Sequence, residues 1–138
     1  MTKSLWHGQL RDGLATMGLS LDEDRQEKLL AFLGLLNKWN RAYNLTAVRD
    51  ERVMVSRQLL DSLSILPWVT TDHLLDVGAG GGLPGIPLAI ALPEKRFTLL
   101  DSNGKKTRFL NQCVLELGLK NVEVVHGRAE DCNPPEPF

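Results

Sequence analysis

No apolar run in the sequence approaches the roughly 18 consecutive residues that a membrane-spanning helix needs. The amino terminus, Met1-Thr2-Lys3-Ser4-Leu5-Trp6-His7, has no apolar h-region and so no export signal, which makes the cytoplasm the expected compartment. Cysteine is scarce. Cys113 and Cys132 are separated by 18 residues, and neither makes a metal-ligand spacing with the other or with the scattered His7, His73 and His126. No metal is expected. Cys113 sits among Leu110, Val114 and Leu117 on a predicted helix, the setting of a small buried thiol, whereas Cys132 falls in a proline-rich tail. Net charge is nearly absent too, at −1, so no global field draws the chain to nucleic acid and any such contact must come from local patches.

What is present fits one soluble globular domain: 138 residues, 43% hydrophobic and 24% charged, enough to bury roughly two thirds of the unfolded surface. Glycine is concentrated at one place. Leu74-Leu75-Asp76-Val77 has strand character and runs into a turn with five glycines in the eight positions 78–85, which opens onto the apolar run 86–92. Strand, tight turn and helix in that order make the first half of a βαβ nucleotide-binding unit. Glycine at the carboxyl end of a strand permits positive φ and lets an adenosine lie on bare main chain; Gly78, Gly80 and Gly82 are the candidates for that access. Pro87 suits the first helical turn and Pro93 closes the helix.

Two ligand classes satisfy this turn. Gly80, Gly82 and Gly85 have the G-x-G-x-x-G spacing of a dinucleotide site. Asp76, two residues before the first glycine, instead suits the ammonium and sulfonium of S-adenosylmethionine. The second strand, residues 96–100, ends in Asp101, placed for a carboxylate to accept both ribose hydroxyls in either class.

The flanking elements follow from periodicity. Trp6, Leu10, Leu14 and Met17 recur at helical spacing, with Gly18 as the stop. Ser20-Leu21-Asp22-Glu23 reads as a capping box for a second helix, whose stripe is Leu29, Leu30, Phe32, Leu33, Leu36 and Trp39. Residues 38–50 break that period and mix cations, aromatics and amides. Those are the parts of a nucleic-acid surface, with Arg41 and Arg49 as phosphate contacts, but the commoner reading of such a mixture is a helix end with Trp39 and Tyr43 packed inward. Asp50 is placed to cap a third helix reaching Leu66, stopped by Pro67, with Val53, Leu59, Leu60, Leu63 and Leu66 inward and Arg57 paired to Asp61. After the second strand, Ser102-Asn103-Gly104 caps a helix over 105–117 that Gly118 ends; Lys105, Lys106 and Arg108 crowd the end of the macrodipole that attracts anions. A third strand, residues 122–125, leads into Gly127-Arg128-Ala129-Glu130. Three βα repeats make half of a doubly wound sheet and leave the first strand as an uncovered edge, so the chain is expected to be a piece of a larger enzyme or to complete itself with another chain.

Four blocks in this order, residues 38–50, Leu59-Leu60-Asp61-Ser62, the glycine turn from Asp76 to Leu88, and Leu99-Leu100-Asp101-Ser102, resemble the glucose-inhibited division protein B family. That resemblance implies an α/β, Rossmann-like class I methyltransferase fold behind an N-terminal helical segment, with the sheet incomplete at its C-terminal end. It divides the chain into a helical segment, 1–70, packed on the core and the first half of the sheet, 71–138, in one domain. It implies transfer of a methyl group from S-adenosylmethionine to guanine N7 in 16S ribosomal RNA, within the small subunit or an assembly intermediate. Carried over, the cofactor contacts fall on Gly78, Leu83, Ala129 and Glu130, with Asp101 at the ribose. Family members run on past Phe138 into further strands and an arginine absent here, so this chain alone is expected to be poorly active, and Gln58 stands where the family typically has histidine. N7 carries a lone pair and no proton at neutral pH, so no catalytic acid or base is expected and the chain's task is positional. Lys105 and Lys106 join Arg41 and Arg49 as expected RNA contacts. A NAD-dependent oxidoreductase and a non-catalytic RNA-binding module are the alternatives.

Overall fold

The computed structural model describes residues 2–128. Helix α1 (Thr2–Met17) ends at Gly18, whose φ of 71° is the left-handed conformation that terminates helices at low cost to glycine. Helix α2 (Glu23–Tyr43) is capped by Asp22 rather than Ser20: the Asp22 carboxylate accepts from Arg25 N–H at 2.9 Å, and Ser20 lies outside the first turn. The expected break at residue 38 is also corrected. The helix continues to Tyr43 and closes on Asn44 at φ 51°. The period looked broken because Asn40 stands where the buried stripe calls for an apolar residue, four positions after Leu36; it is 2% exposed. Trp39 and Tyr43 pack edge-on, with ring centroids 5.2 Å apart.

The third helix is not one α-helix. A turn at Asp50, whose carboxylate accepts from Arg52 N–H, leads into a π-helical segment (Val55–Leu60), then a single α turn, α3 (Asp61–Leu63), and a 3-10 turn (Leu66–Trp68) with Pro67 inside it. Bonding from i to i+5 rotates the face: Met54, Val55, Gln58, Leu59, Ser62 and Leu63 are buried, while Leu60 and Leu66 are only partly so. It also takes residues four apart out of register, and among the described residues no ion pair joins Arg57 to Asp61.

Three parallel strands, β1 (His73–Val77), β2 (Arg96–Asp101) and β3 (Val122–His126), lie in the order β1-β2-β3. Helix α4 (Gly85–Ala91) makes the first crossover and α5 (Gly104–Leu117) the second. The central strand β2 is buried from Phe97 to Asp101. One hydrophobic core takes Trp6, Leu10 and Leu14 from α1, the stripe of α2, Leu99 of β2 and Phe109, Leu110 and Cys113 of α5. Phe109 joins the two sides of this core, with its ring centroid 6.4 Å from Phe32 and 5.9 Å from Trp39. At the amino ends of the strands, Asn121 Nδ2 donates to the carbonyls of Ala89, Leu92 and Lys95, tying the end of α4 to the sheet.

Candidate functional site

Parallel strands joined by helical crossovers bring the loops after β1, β2 and β3 to one end of the sheet, where ligands of open α/β sheets bind. The β1 loop is pinned there by its backbone: Gly78 N–H and Ala79 N–H both donate to Leu100 O, at 2.8 and 3.0 Å. Gly78, Gly80 and Gly82 have φ of 70°, 45° and 82°, so the turn needs glycine at each. They do different jobs. A Cβ on Gly78 would meet no atom within 4 Å, and its main chain opens onto free space. Gly80 is buried beside the alkyl stem of Lys106. At Gly82 a Cβ would lie 2.7 Å from Ile86 and 3.4 Å from Phe32 and Leu110, so that glycine admits packing and gives no access to its main chain. Leu83, joined to Pro84 by a cis peptide bond, packs against the main core.

Asp101, 8% exposed, closes the turn from the neighbouring strand. Its Oδ2 accepts from Gly80 N–H at 2.9 Å and its Oδ1 from Asn103 N–H at 2.8 Å. Each carboxylate oxygen retains a lone pair for a further donor. Asp76 Oδ2 accepts from Gly85 N–H at 3.2 Å, and its carboxyl is pushed up to about 6, first by burial, with the Gly85 bond opposing and the Asp101 charge adding. Val77, Gly78, Leu100, Asp101, Ser102, Gly127 and Arg128 line a hollow of about 340 Å³. Bare main chain at Gly78 on one wall and a carboxylate on the other suit an adenosine: no side chain fills the cradle, and acceptors face where a ribose would lie.

Of the residues expected at the site, Gly78, Gly80 and Asp101 come together, with Lys106 alongside, whereas Gly82 and Leu83 turn to the core. Ala129 and Glu130 lie outside the described residues. Lys105 is exposed at the start of α5, where Asn103 Oδ1 caps the Lys105 and Lys106 amides at 2.9 and 3.2 Å. Arg41 is exposed in the last turn of α2, and Arg49 Nη2 donates to Asn44 Oδ1 at 2.7 Å. That loop reaches the glycine turn: a Cβ on Gly81 would stand 3.2 Å from Leu45 O. Sequence reasoning missed the hollow's Val77, Leu100 and Ser102, whose side chains carry no diagnostic chemistry, and it missed that the buried Asn40 and Gln58 converge on the half-buried Thr46. Asn40 was detectable as an amide on an apolar stripe. Elsewhere, His7 lies 3.9 Å from Glu23 and 3.8 Å from Glu27 across α1 and α2, in exposed pairs of the kind that contribute little. A hollow of about 430 Å³ between α1 and α2, lined by Trp6, Leu30, Gly34 and Asn37 among others, has no strand end or glycine turn in its wall.

The chain is 84% identical over 138 residues to the Ribosomal RNA small subunit methyltransferase G of Marinobacter nauticus, covering 100% of itself and 64% of that protein. It is 64% identical over 132 residues to the protein of the same name from Ectopseudomonas mendocina and 63% identical over 131 residues to one from Pseudomonas aeruginosa, in each case over 94% of this chain. Those matches take in 62% and 61% of the two relatives, so the chain spans somewhat under two thirds of the curated proteins it matches. The family model described as rRNA small subunit methyltransferase G matches residues 25–138, and the chain belongs to that family.

Proposed function

We propose that this chain carries the S-adenosylmethionine-binding part of an enzyme that methylates N7 of a guanine in 16S ribosomal RNA, acting in the cytoplasm on the small subunit or an assembly intermediate. The observation that carries the reading is the Asp101 carboxylate, bonded to Gly80 N–H and Asn103 N–H beside the open main chain of Gly78. Asp101 accepts the ribose hydroxyls, Gly78 admits the adenosyl group, and Leu83, Gly80 and Gly82 keep the turn in shape. Ala129 and Glu130 follow β3, where the adenine would lie. S-adenosylmethionine supplies the electrophilic methyl group. Guanine N7 offers its lone pair without losing a proton, so the chain needs no general base and contributes by holding donor and acceptor in line. Arg41, Arg49, Lys105 and Lys106 contact RNA phosphates, which fix register without reading sequence.

Calorimetric titration of S-adenosylmethionine into the protein and its Asp101→Asn variant tests this. The amide keeps one oxygen for Gly80 N–H but loses the charge and half of the acceptors, so affinity should fall at least about tenfold. Equal affinity removes Asp101 from the site. Stabilisation against heat by NADH but not by S-adenosylmethionine would point to an oxidoreductase, and salt-dependent RNA affinity with no cofactor binding to an RNA-binding module.

A further inference from the structure

Between the end of α2 and the π-helical segment, three polar side chains converge on one loop. Asn40 Oδ1 accepts from Thr46 N–H at 2.9 Å. The Thr46 hydroxyl accepts from Gln58 Nε2 at 2.8 Å and from Val48 N–H at 3.2 Å. Asn40 and Gln58 are 2% and 3% exposed and Thr46 is half-buried, so the two amides would be costly to leave without these bonds. The loop they shape is the one whose Leu45 carbonyl rests on Gly81, and it also carries Arg49, bonded back to Asn44. None of the three side chains lines the cofactor hollow.

We propose that Asn40, Thr46 and Gln58 are positioning residues: through Leu45 they brace the glycine turn at Gly81, so that the cofactor cradle and the Arg49 loop form one rigid unit. The inference rests on the reading of that cradle as the S-adenosylmethionine site. It explains why amides occupy an apolar helix face and a buried π-helical turn, where leucine would pack with no polar group to satisfy. It also gives Gly81 a reason to be glycine that does not depend on positive φ, because any side chain there would press on the Leu45 carbonyl. Anchoring the loop through its middle hydroxyl leaves Arg49 on the exposed side, held at a set distance from the donor turn.

Amide hydrogen exchange on the chain with Thr46→Val, Thr46→Ser and Gly81→Ala is the test. Valine keeps the shape and removes both acceptor sites, so exchange should quicken about tenfold at the Thr46, Val48, Gly80 and Gly82 amides, while Phe97 in the sheet changes less than about twofold. Serine should restore the parent rates. Reciprocally, Gly81→Ala pushes from the other side and should quicken exchange at Thr46 and Val48. A uniform rise across the sheet in Thr46→Val, or unchanged Gly80 and Gly82, overturns the brace, as does Gly81→Ala without effect on the loop. S-adenosylmethionine affinity should drop in Thr46→Val and recover in Thr46→Ser. Failure of the parent to bind the cofactor overturns the proposed function instead, and the exchange pattern still decides the brace.

Discussion

Burial of the Asp76 carboxyl raises its pKa from an ordinary 3.8 to about 6; the Gly85 N–H bond offsets part of that rise and the charge on Asp101 adds to it. The folded protein therefore binds more protons at this site than the unfolded chain between about pH 3.8 and pH 6. Stability from this group is fully present below that window and is lost as pH rises through it. Asp76→Asn keeps an oxygen for Gly85 N–H and carries no charge. The variant should melt above the parent at pH 8, and the gap should close as the buffer is taken towards pH 4. A gap that stays constant with pH would mean that something other than the carboxylate's charge separates the two proteins. Asp76 thus acts on the turn through its bond to Gly85, where a Cβ would lie 2.8 Å from the same carboxylate oxygen.

At the scale of helices and strands, the periodic signals were legible and the local exceptions were not. Helix α1, the α4 run between Pro87 and Pro93, the Asn103 and Gly118 caps of α5 and all three strands follow from apolar spacing and turn residues, because each is settled within a few neighbours. The π-helical segment is not settled that way. The segment packs against α1 and α2, and the sequence of residues 50–66 reads equally well as plain α-helix. The glycine turn was readable as a turn, but which glycine opens to solvent depends on Phe32, Ile86 and Leu110, distant in sequence from one another. The cap of α2 is a similar case: two good capping residues stand two positions apart, and only the helix register chooses between them. Asp22→Ala should therefore cost about 1 kcal/mol and Ser20→Ala close to nothing, measured by urea unfolding. The reverse order would return the cap to Ser20.

For the molecule as a whole, the question is whether the helices up to Trp68 and the strands and helices from His73 onward unfold together. Phe109 of α5 lies fully buried against Phe32 and Trp39 of α2, so the second crossover helix, which leads into β3, is packed directly on the amino-terminal helices. The same core includes Trp6 on α1 and Leu99 on β2, so the larger apolar interior is shared between the halves, while a smaller cluster of Leu88, Ala89 and Phe97 lies on the sheet side. Two probes separate the halves. All three tryptophans, Trp6, Trp39 and Trp68, lie in the first segment. Cys113 lies in the second, buried, its thiol pushed up to about 12 by burial and the nearby Glu116, so a thiol reagent reaches it only on unfolding. In a Cys132→Ala background, tryptophan emission and Cys113 labelling should give one urea midpoint, and Phe109→Ala should lower both by the same amount, a loss of about 3–5 kcal/mol. Midpoints that part company, or a Phe109→Ala variant that frees Cys113 while the tryptophan transition stays put, would show two units that merely touch. One shared midpoint is what a brace between the Arg49 loop and the glycine turn requires, since positions set in one half can hold the other only if the two are cut from the same core.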